Sequence, residues 1–309
     1  MTVTMTTPGS TDTKVQRLND VSAKRVIDPD VEVAGSIGPG QILADELLTV
    51  AGLNLDLTPE QKATLSREEV ASIVGSGIRF EAVLEAGFAM EISMAPDLTD
   101  PRITYLLHEM GEETRHQRLF VRLLSQLDPQ AENPLNKRVL LWLMALGQNA
   151  IINLPALLYV LVLGGEEIPD LLQKKAAEHP DTDPFLRAVN KYHRQEEARH
   201  LSFARTVLPE VWAKASFAER FAVRFVAPLA IKGMFETIVH PGVYGAIGLP
   251  TWQTWRAANR SPVRVALRHE ATRPIVAALL NAGAITAGRI PRGWRRLAGV
   301  DRAGAPLTA

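Results

Sequence analysis

The chain has 309 residues, of which 46% are hydrophobic and 22% are charged, a balance typical of globular proteins. The formal net charge is +0, so no long-range field would attract nucleic acid, and no nucleic-acid partner is expected. The sequence has no cysteine, which excludes disulfides, thiolate zinc sites, cysteine-ligated iron–sulfur clusters and cysteine nucleophiles. Any metal would be bound by histidine, aspartate or glutamate, a set that favours iron or manganese.

Residues 1–40 begin with a polar, threonine-rich segment that lacks an apolar core of the signal-peptide type. We therefore expect a disordered tail over these residues and a cytoplasmic protein. Residues 41–290 are expected to form one helical-bundle domain, and residues 291–309 a basic, irregular tail. The arginines after Trp252 are spread rather than clustered, which favours a solvated surface over a contact with anionic lipid or an acidic partner.

The first two long helices are predicted from capping and breaking residues. Ser66 and Glu69 form a capping-box pattern before an apolar run, and this helix can continue to Met94. Asp100 is the predicted cap of the second helix, because a proline follows it at the first helical position. The second helix is predicted to end at Asp128.

A third helix is predicted from Arg138 onward, with a kink near Gly164-Gly165 or Pro169. A fourth helix is predicted to begin in the turn at residues 179–184 and to end at Leu208. Four long helices joined by short turns are typical of an all-α antiparallel bundle.

The stretch Val139–Gly165 contains no charged residue and is long enough to cross a bilayer. Its polar residues and its proline favour a helix that is buried on all sides within a large bundle, so membrane association is not expected. Additional helices are predicted at residues 217–238 and 262–288.

A pentapeptide occurs twice, as Glu112-Glu113-Thr114-Arg115-His116 in the second predicted helix and as Glu196-Glu197-Ala198-Arg199-His200 in the fourth. Each copy contains Glu-x-x-His, which places a carboxylate and an imidazole on one helix face, one turn apart. Facing helices build carboxylate-bridged dimetal centres in this way, with one further carboxylate from each of the other two helices. One copy alone would be weak evidence, because surface helices are rich in these residues.

Two upstream glutamates stand at the distances that such a centre needs. Glu81 lies 32 residues before Glu113, and Glu166 lies 31 residues before Glu197. Residues of an antiparallel pair that are equidistant from the connecting turn come level with each other. The two halves of the bundle would therefore offer matching sets of side chains at one depth.

His193 lies four residues before Glu197, so the fourth helix contains His-x-x-x-Glu-x-x-His. The equivalent residue of the second helix is Glu109, so the two copies of the repeat differ at this position. The alternative interpretation of His193 is a core histidine, or one that orients a metal ligand without binding the metal. With this motif the sequence resembles the p-aminobenzoate N-oxygenase family of ferritin-like diiron oxygenases over about residues 66–208.

The resemblance implies a ferritin-like four-helix bundle with additional C-terminal helices and two iron ions per chain, with manganese at one position as an alternative. The implied ligands are Glu81, Glu113, His116, Glu166, His193, Glu197 and His200. Glu85 competes with Glu81 as the ligand of the first helix, and Glu167 competes with Glu166 in the third.

The resemblance also implies that the iron centre activates O₂ and N-oxygenates an aromatic amine or a related small molecule. No glycine-rich dinucleotide turn follows a strand, so the electrons would come from an external reductase or ferredoxin. We expect a homodimer, both from the resemblance and because the apolar C-terminal helices need covering.

Other functions remain open at this point. The alternatives are a diiron oxygenase or oxidase with a lipid-like or other non-amine substrate, a ferroxidase or iron-storage protein, and a non-catalytic bundle. The long segment after His200 argues against a ferritin cage. The sequence does not identify the substrate. Candidate walls of a substrate pocket, each more simply explained as core packing, are Phe88, Met90, Trp142, Met144, Tyr159 and Phe203.

Overall fold

The structure, a computed structural model, describes residues 10–307, with the backbone alone for Ser10 and Leu143. The all-α prediction is confirmed: these residues form helices, and their only β-type pairing is an isolated bridge between Val300 and Pro306. The helices are α1 Ser10–Lys24, α2 Pro29–Glu32, α3 Pro59–Met94, α4 Pro101–Leu127, α5 Arg138–Ile152, α6 Pro155–Glu178, α7 Pro184–Lys214, α8 Phe217–Phe221, α9 Ala227–Thr237, α10 Gly242–Ala246, α11 Thr251–Arg260, α12 Pro262–Asn281 and α13 Arg292–Ala298.

The bundle consists of α3, α4, α6 and α7. α3 packs along α4, α6 packs along α7, and the two pairs meet where α3 contacts α6 and α4 contacts α7. The apolar residues between them form one continuous core, which α9 and α12 extend on the outer side of α6. This is the ferritin-like arrangement, in which four long helices direct side chains into a shared interior.

The predicted start of the first bundle helix was wrong. α3 begins eight residues earlier, at Pro59, because Thr58 and Gln61 form a reciprocal capping box. Ser66 lies inside the helix, where its hydroxyl accepts a hydrogen bond from the backbone NH of Ile42 at 3.1 Å. The capping-box pattern therefore occurs twice in this part of the sequence, and the upstream copy is the one that caps the start of α3.

The other bundle turns follow the prediction closely. Asp100 caps α4 through the backbone NH of Arg102, and α4 ends before Asp128, which has a left-handed conformation with φ 46°. Asp183 caps α7 by accepting from two backbone NH groups. α7 continues through Pro209 to Lys214, beyond the predicted end at Leu208.

The third predicted helix is two helices. α5 and α6 meet at a bend of 117°, at Asn153-Leu154, and not at the predicted glycines or at Pro169. Pro155 begins α6 and lacks the NH that would continue α5. Gly165 serves a different purpose, because a Cβ at this position would lie 1.7 Å from Cζ of Phe80. The ring of Phe80 can occupy the space between α3 and α6 only because residue 165 has no side chain.

Burial on all sides holds for the first turns of α6 but not for α5. Residues from Ala156 to Ile168 are buried, whereas Val139 and Trp142 of α5 are 69% and 61% exposed. Among residues 10–307, no helix alone combines the length and hydropathy of a bilayer span, although α5 and α6 together do so as a bent pair.

Both segments that were expected to lack structure contain helices. α1 packs against α4 and α7, and Asn19 donates a hydrogen bond to the carbonyl of Pro101 at 2.9 Å. In α13, Trp294 is fully buried and donates to the carbonyl of Val223 at 3.0 Å. Both helices are polar and have few apolar residues, so their composition predicted tails without structure. One narrow apolar face is nevertheless enough for each helix to pack against the bundle. Residues 1–9 and 308–309 lie outside the described residues, and the domain boundaries at residues 41 and 290 stay predictions.

The helices predicted at residues 217–238 and 262–288 also differ in detail. The first is formed by α8 and α9 with a π-helical segment, Ala222–Val226, between them. The second is α12, which ends at Asn281, shortly before Gly283 adopts a φ of +70°.

Glu69 of α3 anchors the segment that precedes the bundle. Its carboxylate accepts hydrogen bonds from the backbone NH of Thr49 at 3.1 and 3.0 Å, and also from the Thr49 hydroxyl. Burial raises the pKa of Glu69 to about 7, although the hydrogen bonds from Thr49 and the charge of Arg264 act in the opposite direction.

We predict that Glu69→Gln flattens the pH dependence of stability. The unfolded carboxyl ionises near 4.5 and the folded one near 7, so between these values the folded chain holds the extra proton and the wild type loses stability as pH rises. The loss is of order 3 kcal/mol over this window and should be absent from the variant. Urea unfolding at pH values below and above the window measures it, and parallel stability curves for the two proteins would contradict the prediction.

Candidate metal centre

The structure brings together all seven predicted ligand residues at the centre of the bundle. Each of the four bundle helices contributes at least one of them, and their exposed fractions lie between 0% and 3%. The residues are Glu81 of α3, Glu113 and His116 of α4, Glu166 of α6, and His193, Glu197 and His200 of α7. Ionisable groups this deeply buried are costly unless they compensate one another or bind a metal.

Glu113 and Glu197 lie between two imidazoles, and each uses one oxygen for each ring. His116 Nδ1 is 3.2 Å from Oε2 of Glu113 and 3.3 Å from Oε1 of Glu197. His200 Nδ1 is 3.2 Å from Oε1 of Glu113 and 3.2 Å from Oε2 of Glu197. The two carboxylates therefore connect two separate positions, each with one imidazole nitrogen facing it.

Glu81 and His193 lie at the position of His116. Ligand atoms of these three residues lie within 4.8 Å of one another, and His193 Nε2 is 3.3 Å from Oε1 of Glu81. The other ring nitrogen of His193 pairs with Oε1 of Gln173 at 2.9 Å, which fixes the ring so that Nε2 faces the cluster. Glu166 lies on the other side, where it shares a hydrogen bond with Glu197.

Glu109 is a member of the cluster that the sequence analysis did not include. Glu109 is 1% exposed. One carboxylate oxygen of Glu109, one carboxylate oxygen of Glu113 and one ring nitrogen of His200 lie within 4.8 Å of one another. Glu109 precedes Glu113 by four residues, as His193 precedes Glu197. The pseudo-symmetry of the repeat therefore extends to this position, and the signal that could have revealed it was the spacing rather than the residue type.

The first glutamate of each pentapeptide has a role that the ligand motif alone did not predict. Glu196 Oε2 lies 3.0 Å from His116 Nε2, and Glu112 Oε2 lies 2.8 Å from His200 Nε2. We call these two contacts the crossed pairs, because each joins the histidine of one helix to the glutamate of the other. They leave Nδ1 of each ring directed at Glu113 and Glu197.

The arginines of the pentapeptide complete the same pattern. Arg115 lies 3.1 Å from Oε1 of Glu196, and Arg199 lies 2.9 Å from Oε1 of Glu112. Each carboxylate of a crossed pair is thus held on both oxygens, by an imidazole and by a guanidinium.

The competing glutamates of the sequence analysis point elsewhere. Glu85 accepts hydrogen bonds from Thr114 and Gln117, each at 2.9 Å, on the outer side of α4. Glu167 forms an ion pair with Arg205. The geometry therefore favours Glu81 and Glu166.

The pKa values of the cluster show how strongly its charges interact. Burial raises the pKa of Glu81 and Glu166 well above the ordinary value, and the neighbouring carboxylates add to the rise. Burial alone would lower the pKa of His116, but hydrogen bonds to Glu113 and Glu196 raise it to about 10. Glu81 and Glu166 thus retain protons and His116 attracts one, whereas the nearby imidazoles lower the pKa of Glu113 and Glu197. A metal ion bound among these side chains would displace the protons.

Several buried carboxylate oxygens of the cluster accept no hydrogen bond of acceptable geometry, although an imidazole nitrogen lies close to two of them. They are Oε2 of Glu81, Oε2 of Glu109, Oε1 of Glu113, Oε1 of Glu166 and Oε1 of Glu197. Buried polar atoms are nearly always satisfied, so converging oxygens without such hydrogen bonds are the pattern expected of metal ligands. The donor set, oxygens with a few imidazoles and no thiolate, suits iron or manganese.

A cavity of about 1070 Å³ reaches the cluster from one side. It lies between α3, α5, α6, α9 and α12, and its inner end is formed in part by Glu81, Glu166 and His193. Of the six predicted wall residues, only Met144 lines it. Phe88, Tyr159 and Phe203 are buried in the core, and Met90 and Trp142 are exposed. The aromatic residues were therefore a poor guide, because the cavity is lined mainly by aliphatic side chains.

Comparisons with known proteins agree with this geometry. The sequence profile of the family described as p-aminobenzoate N-oxygenase AurF matches residues 10–283. Two uncharacterised mycobacterial proteins, Rv0885 of Mycobacterium tuberculosis and Mb0909 of Mycobacterium bovis, are each 29% identical to the chain over 183 residues. The match covers 59% of the chain and 53% of each relative, so the chain spans about half the length of the curated relatives it matches.

We predict that Glu196→Ala weakens Fe²⁺ binding by about 10- to 100-fold, because His116 loses the acceptor that fixes its ring and tautomer. Anaerobic titration of the metal-free protein measures the affinity. Glu85→Ala is the matched control, since it removes a carboxylate one turn from Glu81 but outside the cluster, and it should bind Fe²⁺ like the wild type. Equal affinities of the two variants would show that Glu196 does not orient the histidine.

Proposed function

Because the chain belongs to the p-aminobenzoate N-oxygenase family, we propose that it is a diiron oxygenase that activates O₂. The observation that carries the proposal is the placement of Glu113 and Glu197 between His116 and His200, with one carboxylate oxygen directed at each imidazole. Carboxylates that connect two positions are what a pair of metal ions requires.

The two metal positions would be unequal. His116, Glu81 and His193 would hold the first ion, and His200 and Glu166 the second, with Glu113 and Glu197 shared. We propose Glu109 as an additional carboxylate of the second position. The carboxylates of Glu81, Glu113, Glu166 and Glu197 together balance the charge of two divalent ions. We propose iron at both positions, with manganese at one as the alternative.

The chemistry that two bound iron ions would supply is the transfer of electrons to O₂. The protein's own contribution is positional. The crossed pairs and Gln173 hold the three imidazoles in one orientation, and burial keeps bulk water away from them. The cavity touches Glu81, Glu166 and His193, so a substrate in it would approach the ligands from this face.

Oxygenation of an aromatic amine nitrogen is the first candidate reaction, as the family description suggests. Insertion of one oxygen atom from O₂ leaves the second oxygen to be reduced to water, which requires two electrons and two protons from outside. An external reductase or ferredoxin is the proposed source of the electrons. A homodimer and a cytoplasmic location remain predictions.

The size of the cavity favours a second candidate, an oxygenase that acts on an elongated, lipid-like substrate. Small-molecule sites commonly measure about 300–1,000 Å³, and this one lies at the upper limit, with mostly aliphatic walls. A single aromatic ring would occupy only a small part of it.

The deciding experiment measures iron content per chain and the absorption spectrum of the reduced protein after O₂ is added. Two irons and O₂ consumption that depends on a reductant and on an added arylamine would support N-oxygenation. Consumption stimulated by an aliphatic substrate, and not by arylamines, would favour the second candidate. Iron that is oxidised and accumulates as a large mineral core would indicate storage, and the absence of bound iron would indicate a non-catalytic bundle.

We predict that Glu197→Ala loses both irons together, because its carboxylate serves both positions. Iron per chain, measured by elemental analysis during stepwise chelation, should fall from two toward zero without a stable one-iron form. Glu167→Ala is the control, since Glu167 neighbours Glu166 but pairs with Arg205. The assignment would be wrong if Glu197→Ala kept two irons and full activity.

We predict that His193→Ala keeps substantial iron but loses most oxygenase turnover. The six other ligands predicted from the sequence remain for assembly, whereas the first position loses a neutral donor at the face where the cavity opens. Iron stoichiometry and reductant-dependent O₂ consumption should be measured on the same sample. Unchanged turnover would show that His193 is only a core histidine.

A further inference from the structure

Arg264 of α12 is a buried cation that lines the cavity far from the metal cluster. It is 6% exposed, and its guanidinium lies over the ring of Phe235, 4.5 Å from the centroid. One nitrogen donates to the carbonyl of Phe235 at 3.3 Å, and Nε has no hydrogen-bond partner. No carboxylate of residues 10–307 lies within 4 Å of it. A buried guanidinium without an ion-pair partner is costly unless something else binds it.

Arg264 interacts electrostatically with Glu69, which marks the end of the cavity at which the arginine lies. Glu69 and Glu81 both line the cavity and lie twelve residues apart on α3, which corresponds to about 18 Å along a helix. The spacing along α3 therefore gives about 18 Å between the ligand cluster at Glu81 and the end of the cavity at Glu69, with which Arg264 interacts.

The walls between these two ends are mainly apolar. The apolar residues of α3 that line this part of the cavity are Val70, Ile73, Val74, Gly77 and Phe80. Ser76 and Arg79 also line it, but Arg79 is exposed and donates to the side chain of Asn136 at 2.9 Å. α6 and α7 add Leu172, Leu186 and Val189. An extended hydrocarbon chain would contact such walls along its whole length, whereas a polar chain would leave its hydrogen-bonding groups unsatisfied.

The arginine end carries surplus positive charge. Arg268 lies one turn beyond Arg264, is also buried, and likewise has an Nε without a partner. The glutamates of this region are engaged by other groups: Glu236 is bonded to Lys232 at 2.5 Å, and Glu270, which also lines the cavity, pairs with Lys175 at 3.1 Å. Glu69 is occupied by Thr49, and burial raises its pKa to about 7. An anionic group can therefore approach Arg264 without meeting a carboxylate that must remain charged.

We propose that the cavity binds an elongated amphipathic carboxylate, with its carboxylate group at Arg264 and its apolar chain directed toward Glu81 and His193. The guanidinium offers two parallel N–H donors, which match the two oxygens of a carboxylate. The orientation fixes which part of the ligand meets the metal cluster, namely the end remote from the carboxylate. That last statement rests on the proposed function, whereas binding itself does not.

The test is calorimetric titration of the protein as isolated with tetradecanoate, 1-tetradecanol and benzoate, each below its aggregation concentration. Tetradecanoate should bind at least tenfold more tightly than the alcohol of equal length, and benzoate should bind more weakly than either. Arg264→Met should weaken the binding of tetradecanoate by about tenfold or more, which corresponds to roughly 1.4 kcal/mol or more, and leave the alcohol unaffected.

Arg260→Met is the matched control, because Arg260 is exposed at the end of α11 and does not line the cavity. It should bind both probes like the wild type. Equal affinity of the wild type for acid and alcohol would overturn the assignment of the carboxylate to Arg264, and this comparison needs no variant to fold. Failure of both long probes to bind would overturn the elongated ligand.

The outcome is separable from the proposed oxygenase function. Tight, Arg264-dependent binding by a protein that holds no iron would sustain the binding site and refute the diiron proposal. Two irons with reductant-dependent O₂ consumption, but no binding of either long probe, would support the diiron proposal and refute the binding site.

Discussion

The two crossed pairs between α4 and α7 are the interaction on which the rest of the site depends. A carboxylate and an imidazole on one helix turn could face many directions. Here Glu196 fixes His116, and Glu112 fixes His200, each from across the helix interface. Because Nε2 of each ring is engaged, Nδ1 is the atom that faces the centre. The same contacts fasten α4 to α7, so the helix packing and the site geometry are one constraint.

The convergence of the seven predicted side chains could be read from the sequence because the repeat imposes its own geometry. Glu-x-x-His on two helices of an antiparallel bundle leaves little freedom for the histidines and the central glutamates. The upstream glutamate was harder to choose. Glu81 and Glu85 lie one turn apart, and only the contacts of Glu85 with Thr114 and Gln117 show that it faces α4 instead. Such contacts depend on the rotation of one helix against another, which a single sequence does not specify.

Other features were missed for related reasons. Glu109 was set aside because its residue type differs from that of His193, although the two positions are equivalent in the repeat. The break between α5 and α6 was placed at glycines, but it lies where Pro155 removes a backbone donor. The cavity walls come from helices far apart in the chain, so no local pattern marks them. The periodicity of the sequence thus predicted which residues share a helix face. The contacts between helices depend on tertiary packing, which the periodicity does not specify.

Gly165 and Glu166 are neighbours on α6, but they contact different parts of the site. Glu166 faces the ligand cluster, whereas Gly165 accommodates the ring of Phe80, which also lines the cavity. A methyl group at residue 165 would displace that ring, and every ligand-type side chain would remain. A substitution at residue 165 could therefore change which molecules fit in the cavity without changing the side chains of the ligand cluster. Such a division would allow related chains to diversify in the compounds they accept while the chemistry at their core stays the same.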